Sequence, residues 1–162
     1  MDKDYIEVQL QKLKHGDAPA RYTAAARLGK LGDKNAVEHL LAALADLDQM
    51  VLDNVIFALG ELGDARAVYP LIRLVRTGGS ERLRKSAAKA LGLLGNPDAI
   101  DALVVALSDK DFKVRKSAAR SLGQIGDERA APALAAAVDD PDYTVGKHAQ
   151  EALARINSKV RQ

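Results

Sequence analysis

Lys and Arg recur at helical spacing through the second half of the chain: Arg82, Lys85 and Lys89, then Lys113, Lys116 and Arg120, then Lys147 and Arg155. Residues three or four apart share one face of a helix. Each set therefore presents positive charge on one side, opposed in the same sets by Glu81 and Glu151. A solvated helix face usually mixes signs as pairs four apart. A run of one sign points instead to the binding of an anionic group, and the solvated face is the alternative. Met50, Phe57, Phe112 and Tyr143 fall on the polar sides of their segments, beside these charges. Aromatic and Met side chains next to positive charge suit an interface anchor with an electrostatic rim; for Phe57 the alternative is space filling between neighbouring helices.

Other chemistries find less support. Cysteine is absent, which removes disulfides, thiolate nucleophiles and Cys-based zinc sites. His15 sits beside Gly16 in a turn, His39 follows Glu38 on an outer helix, and His148 is followed by Ala149; each is read as a surface histidine and not a metal ligand. Serines lack a nearby base, and no glycine-rich loop follows a strand. No catalytic residue, cofactor or metal is assigned. The net charge is +2, from 24 Lys and Arg against 22 Asp and Glu, so attraction to nucleic acid by the whole molecule is not expected and electrostatics must act locally. The start lacks a signal-peptide pattern, and no apolar run approaches the roughly 18 residues of a membrane span. A cytoplasmic protein with no membrane contact is expected.

The elements that carry these residues are set by a repeat. Leu28-Gly29, Leu59-Gly60, Leu91-Gly92 and Leu122-Gly123 stand 31, 32 and 31 residues apart, with Leu153-Ala154 in the same frame 31 residues on. A fixed period of this size means a solenoid. Three residues after each of these glycines comes another, followed by a capping residue: Gly32-Asp33, Gly63-Asp64, Gly95-Asn96 and Gly126-Asp127. Glycine accepts the left-handed conformation that closes a helix, and Asp or Asn accepts hydrogen bonds from the first free N–H groups of the next. All the glycines are read as helix ends. Between junctions the apolar residues fall at helical spacing, as in Val114, Ala118, Leu122 and Ile125. With aromatics at only 4% and an abundance of Ala and Leu, helices are favoured over strands.

Each repeat is thus two helices joined by a short turn, acidic in most copies. The units run approximately over residues 2–31, 32–62, 63–94, 95–125 and 126–158, within one domain covering 1–162. Five pairs make ten helices. A polar face on the first helix and the polar Asn157-Ser158-Lys159 at the end suggest that both termini are finished.

The pattern Asp-x-x-Val-Arg-x-x-Ala-Ala-x-x-Leu-Gly-x-Ile-Gly-Asp, from Asp111 to Asp127, resembles the HEAT repeat, in the subtype named after phycobilisome (bilin) lyases. The resemblance implies an all-α, right-handed α-solenoid (superhelix) of about five HEAT-like helix pairs, with the second helix of each pair lining the concave side. It further implies a ladder in which the Arg after Val meets the turn Asp of a neighbouring repeat. Arg21, Arg84 and Arg115 occupy that rung, whereas Leu52 and Gly146 do not; Leu52 is read as core. Deoxyhypusine hydroxylases, built on a similar repeat, carry His-Glu pairs as metal ligands on inner helices. No His-Glu pair occurs here, so that site does not transfer.

On this frame Arg82, Lys85, Lys89, Lys113, Lys116, Arg120, Lys147 and Arg155 line a basic groove, with Met50, Phe57, Phe112 and Tyr143 as apolar anchors. The expectation is a non-catalytic, monomeric scaffold for protein–protein interaction that binds an acidic helix or extended acidic segment. Nucleic-acid backbone binding and bilin-lyase-like handling of a chromophore are the alternatives.

Overall fold

The computed structural model describes residues 3–160. Met1, Asp2, Arg161 and Gln162, which belong to the domain read from sequence, lie outside the described residues. Ten α-helices and no strand occur among the described residues. They are α1 (Lys3–His15), α2 (Ala18–Leu31), α3 (Val37–Ala42), α4 (Gln49–Leu62), α5 (Val68–Thr77), α6 (Glu81–Leu94), α7 (Ile100–Ala106), α8 (Phe112–Ile125), α9 (Ala131–Ala137) and α10 (Tyr143–Val160). The even-numbered helices pack one on the next along the molecule, and each odd-numbered helix packs on an even partner. The architecture is an all-α repeat solenoid in two layers.

The junctions follow from local backbone chemistry. Gly32, Gly63, Gly95 and Gly126 close α2, α4, α6 and α8 at φ between +63° and +72°, a region that an L side chain enters only at a cost. The side chain of the next residue then accepts the N–H two positions on: Asp33 from Asn35, Asp64 from Arg66, Asn96 from Asp98 and Asp127 from Arg129. This opens a 3-10 turn that leads into α3, α5, α7 and α9. Pro97 takes the first position of one such turn, where its missing N–H has no partner to lose.

The glycine of each Leu-Gly pair is not a helix end. Gly29, Gly60, Gly92 and Gly123 lie inside α2, α4, α6 and α8, so the reading of every glycine as a junction is corrected. A Cβ on Gly29 would come within 2.8 Å of the Ala58 backbone, and one on Gly123 within 2.8 Å of that of Ala152. Absent side chains thus let consecutive even helices approach closely. The odd helices are shorter and, apart from α5 against α7, touch one another lightly. A layer drawn together more tightly than its partner forms the inner arc, so the even helices carry the concave face. Leu28, Leu59, Leu91 and Leu122, each beside one of these glycines, are fully buried between the layers, where each contributes on the order of 2 kcal/mol.

A ladder of ion pairs joins successive turns. The Arg21 guanidinium donates to Asp46 at 2.6 and 3.0 Å, that of Arg84 to Asp109 at 2.6 and 3.0 Å, and that of Arg115 to Asp140 at 2.7 and 2.9 Å. In each case the pairing spans 25 residues and the same guanidinium also donates to a carbonyl of its own turn: Gly16, Gly78 or Asp109. Each Asp in turn accepts the backbone N–H two residues on, from Asp48, Asp111 or Asp142. The rung missing at Leu52 is missing on both sides, because the position two before the cap Ser80, where the other rungs hold Asp two before their caps, is Gly78. Leu52 itself is half-exposed and not a core residue, since it occupies a turn-facing place shaped for a guanidinium.

Candidate functional site

The inner helices present the positions read from sequence in rows, one residue per helix. Two places before each Leu of the Leu-Gly frame stand Ala26, Phe57, Lys89, Arg120 and Glu151; four residues earlier stand Tyr22, Asp53, Lys85, Lys116 and Lys147. The stacking brings Lys85 and Lys89 of α6 against Lys116 and Arg120 of α8. Partial burial and the charges of Lys85, Arg120 and Lys116 hold the Lys89 ammonium below its ordinary pKa, with Asp53 acting in the opposite sense. None of these four cations has an ion-pair partner among the described residues.

The remaining residues divide between this cluster and its rim. Arg82 is not free: its Nε donates to Asp53 of α4, and its Nη2 lies 3.5 Å from the Met50 sulfur. Ser86 donates to the same carboxylate at 3.0 Å. Arg82 and Met50 therefore form a bridge between α4 and α6 at the groove edge, although Met50 remains half-exposed. Phe57 also remains 49% exposed, so it does not fold back to fill the gap between helices. Phe112 has the Lys113 and Lys116 ammonium groups 5.8 and 6.0 Å from its ring centroid, within cation–π range, which ties it to the cluster. Tyr143 stands exposed at the start of α10, and Lys147 projects from its second turn.

Arg155 meets Arg120 across a cavity of about 170 Å³ between α8 and α10, lined also by Gly123, His148, Glu151 and Ala152. His148 places Nδ1 2.7 Å from the Thr144 carbonyl oxygen. A carbonyl only accepts, so Nδ1 carries the proton. The cavity and the role of Asp53 were not read from sequence. The signal for Asp53 was available: it stands 29 residues before Arg82, close to the offset at which inner helices meet.

No group of three or more His, Asp or Glu among the described residues is arranged to hold a metal ion. The donor set does not fit the metal centre of a deoxyhypusine hydroxylase, and no chemical step is derived through one. No helix of the described residues is long and apolar enough to cross a membrane.

Comparison with known proteins places this geometry. The model for HEAT repeats matches residues 6–86 and 70–154. The chain is 40% identical over 101 residues to phycocyanobilin lyase subunit alpha of Picosynechococcus sp., covering 57% of this chain and 37% of that protein. It is 30% identical over 86 residues to deoxyhypusine hydroxylase of Gallus gallus, covering 52% of this chain and 29% of that protein. Among solved structures, the complex of CpcE and CpcF of phycocyanin lyase from Nostoc sp. matches with a TM-score of 0.82 and 26% identity, over 94% of this chain and 65% of that one. The chain thus spans less than two fifths of the length of these two relatives. These relatives are named as enzymes, and they overturn the expectation that the chain is non-catalytic. That expectation rested on the absence of a recognisable catalytic constellation, which a solenoid does not need to announce in sequence.

Proposed function

The chain belongs to the HEAT-repeat family, and from that premise we propose that it holds an acidic helix or extended acidic segment of a protein partner in the basic groove of α6, α8 and α10, as the partner-holding component of a lyase-type activity. The observation that carries this reading is the cluster of Lys85, Lys89, Lys116 and Arg120, four neighbouring cations none of which makes an ion pair among the described residues. Placing like charges together costs free energy in the isolated protein, and an acidic ligand recovers it. A rigid concave surface loses little conformational freedom on binding. The relatives named as a lyase subunit and as a two-protein lyase complex support a protein as the partner.

The test is fluorescence anisotropy with a labelled acidic helical peptide and, in parallel, a labelled DNA duplex, over a salt series. The acidic peptide should bind, and Lys116→Glu with Arg120→Glu should abolish binding. If the duplex binds instead, with log affinity falling by about 0.9 per phosphate neutralised for each decade of salt, the acidic-segment reading is wrong.

A further inference from the structure

The groove is not uniform along its length, and its asymmetry specifies an order in the partner. Its central row runs Ala26, Phe57, Lys89, Arg120 and Glu151 from α2 to α10: small, aromatic, cationic, cationic, anionic. Phe57 is 49% exposed, and Leu93, one turn beyond Lys89 on α6, is 45% exposed. The row thus offers an exposed aromatic on α4, with Asp53 one turn before it already engaged by Arg82 and Ser86, and the basic cluster begins one helix later.

We infer that the occupant of the groove is a single amphipathic helix of the partner, lying across the inner helices with an apolar residue on Phe57 and acidic residues about seven and fourteen positions away on Lys89 and Arg120. The inference rests on the groove reading above and adds shape, spacing and direction to it. Three features of the surface lead to it. The exposed strip on each inner helix, such as Lys85 to Leu93 on α6, is about 12 Å wide at 1.5 Å per residue, which matches the diameter of a helix. Inner helices that meet through glycine stand about 8–9 Å apart, about six residues of helical rise, and seven is the nearest spacing that keeps successive residues on one helix face. Finally, the partner's C-terminal end, negative through its dipole, gains from lying toward the cations, which sets its apolar residue N-terminal to its acids. Glu151 ends the cationic row, so a third acid in the same register would meet a like charge.

The experiment uses the full chain, labelled with nitrogen-15, and two helical peptides of equal composition. In one, Leu is followed by Glu seven and fourteen positions later; in the other, both Glu are moved to the opposite face. A nitroxide is attached to either end of the first peptide. The in-register peptide should bind at least about tenfold more tightly than the other. A nitroxide at its apolar end should broaden amide signals near Ala26 and Phe57, and one at its acidic end those near Arg120 and Glu151. Phe57→Ala should weaken binding while leaving broadening by the acidic-end label in place. Equal affinity of the two peptides, or the same broadening from either end, overturns the inference and leaves the groove reading standing. Failure of both peptides to bind at low salt overturns both.

Discussion

Removing the Arg84 guanidinium should destabilise the solenoid more than the loss of its hydrogen bonds alone suggests. Arg84 is the most buried of the three rung arginines, with side-chain exposures of 10% for Arg84 and 12% for Asp109. Arg84→Met keeps the apolar stem but leaves the mostly buried Asp109 carboxylate without its cation and the Gly78 carbonyl without its donor. Breaking a buried pair from one side costs about 3–5 kcal/mol. Because Asp109 keeps its hydrogen bond from the Asp111 amide, the lower end applies, about 3 kcal/mol. For a chain of this length that corresponds to a fall in Tm of roughly 6–12 °C. Replacing both partners, Arg84→Met with Asp109→Leu, removes the stranded charge and should recover at least half of the loss, since a buried ion pair and its apolar substitute are often close in stability. Circular dichroism melts of the three variants at pH 7 measure this. A Tm change under 2 °C for Arg84→Met, or a double variant less stable than the single one, would refute the view that desolvated rungs stabilise the stack.

The same rungs set the acid response. Hydrogen bonding from Arg84 and Arg115 holds the Asp109 and Asp140 carboxyls below their ordinary pKa. A carboxyl depressed in the folded state contributes stability that is fully present above its unfolded pKa of about 3.9 and is lost as pH falls through the folded value. Tm should therefore be nearly flat from pH 7 to 5 and fall below about pH 4, with a smaller acid-induced drop in Arg84→Met. Gly123→Val, which would drive a side chain into the Ala152 backbone, should cost several kcal/mol in urea melts, above the 1–3 kcal/mol typical of overpacking because backbone must move. In the groove, Arg120→Glu should raise the Lys89 ammonium pKa measured by NMR, because Arg120 is among the charges that lower it.

Much of the fold was legible because its signals are local. A glycine at positive φ followed by Asp or Asn needs only its neighbours in sequence to close one helix and open the next, and all four junctions read this way adopt that geometry. The Leu-Gly glycines were misread for the opposite reason: their constraint is the backbone of the next repeat, which sequence does not place. Leu52 is a similar case, since its surroundings are those of a lost rung whose other half lies in the next turn, at Gly78. The recurrence of Lys and Arg at helical spacing is legible in sequence, but the neutralisation of Arg82 by Asp53 is not, because it depends on how α4 and α6 stack. The expectation of a non-catalytic chain fails against relatives that are named as enzymes, because fold and composition do not carry catalytic status.

The central claim, that the α6–α8 cations hold an acidic segment, is tested most directly by a charge exchange read by titration calorimetry. The native chain should bind a Glu-bearing helical peptide and not its Lys-bearing counterpart, and Lys116→Glu with Arg120→Glu should reverse that preference. If the variant chain keeps its preference for the Glu peptide, or the native chain does not distinguish the two, the groove is a solvated face and the account fails.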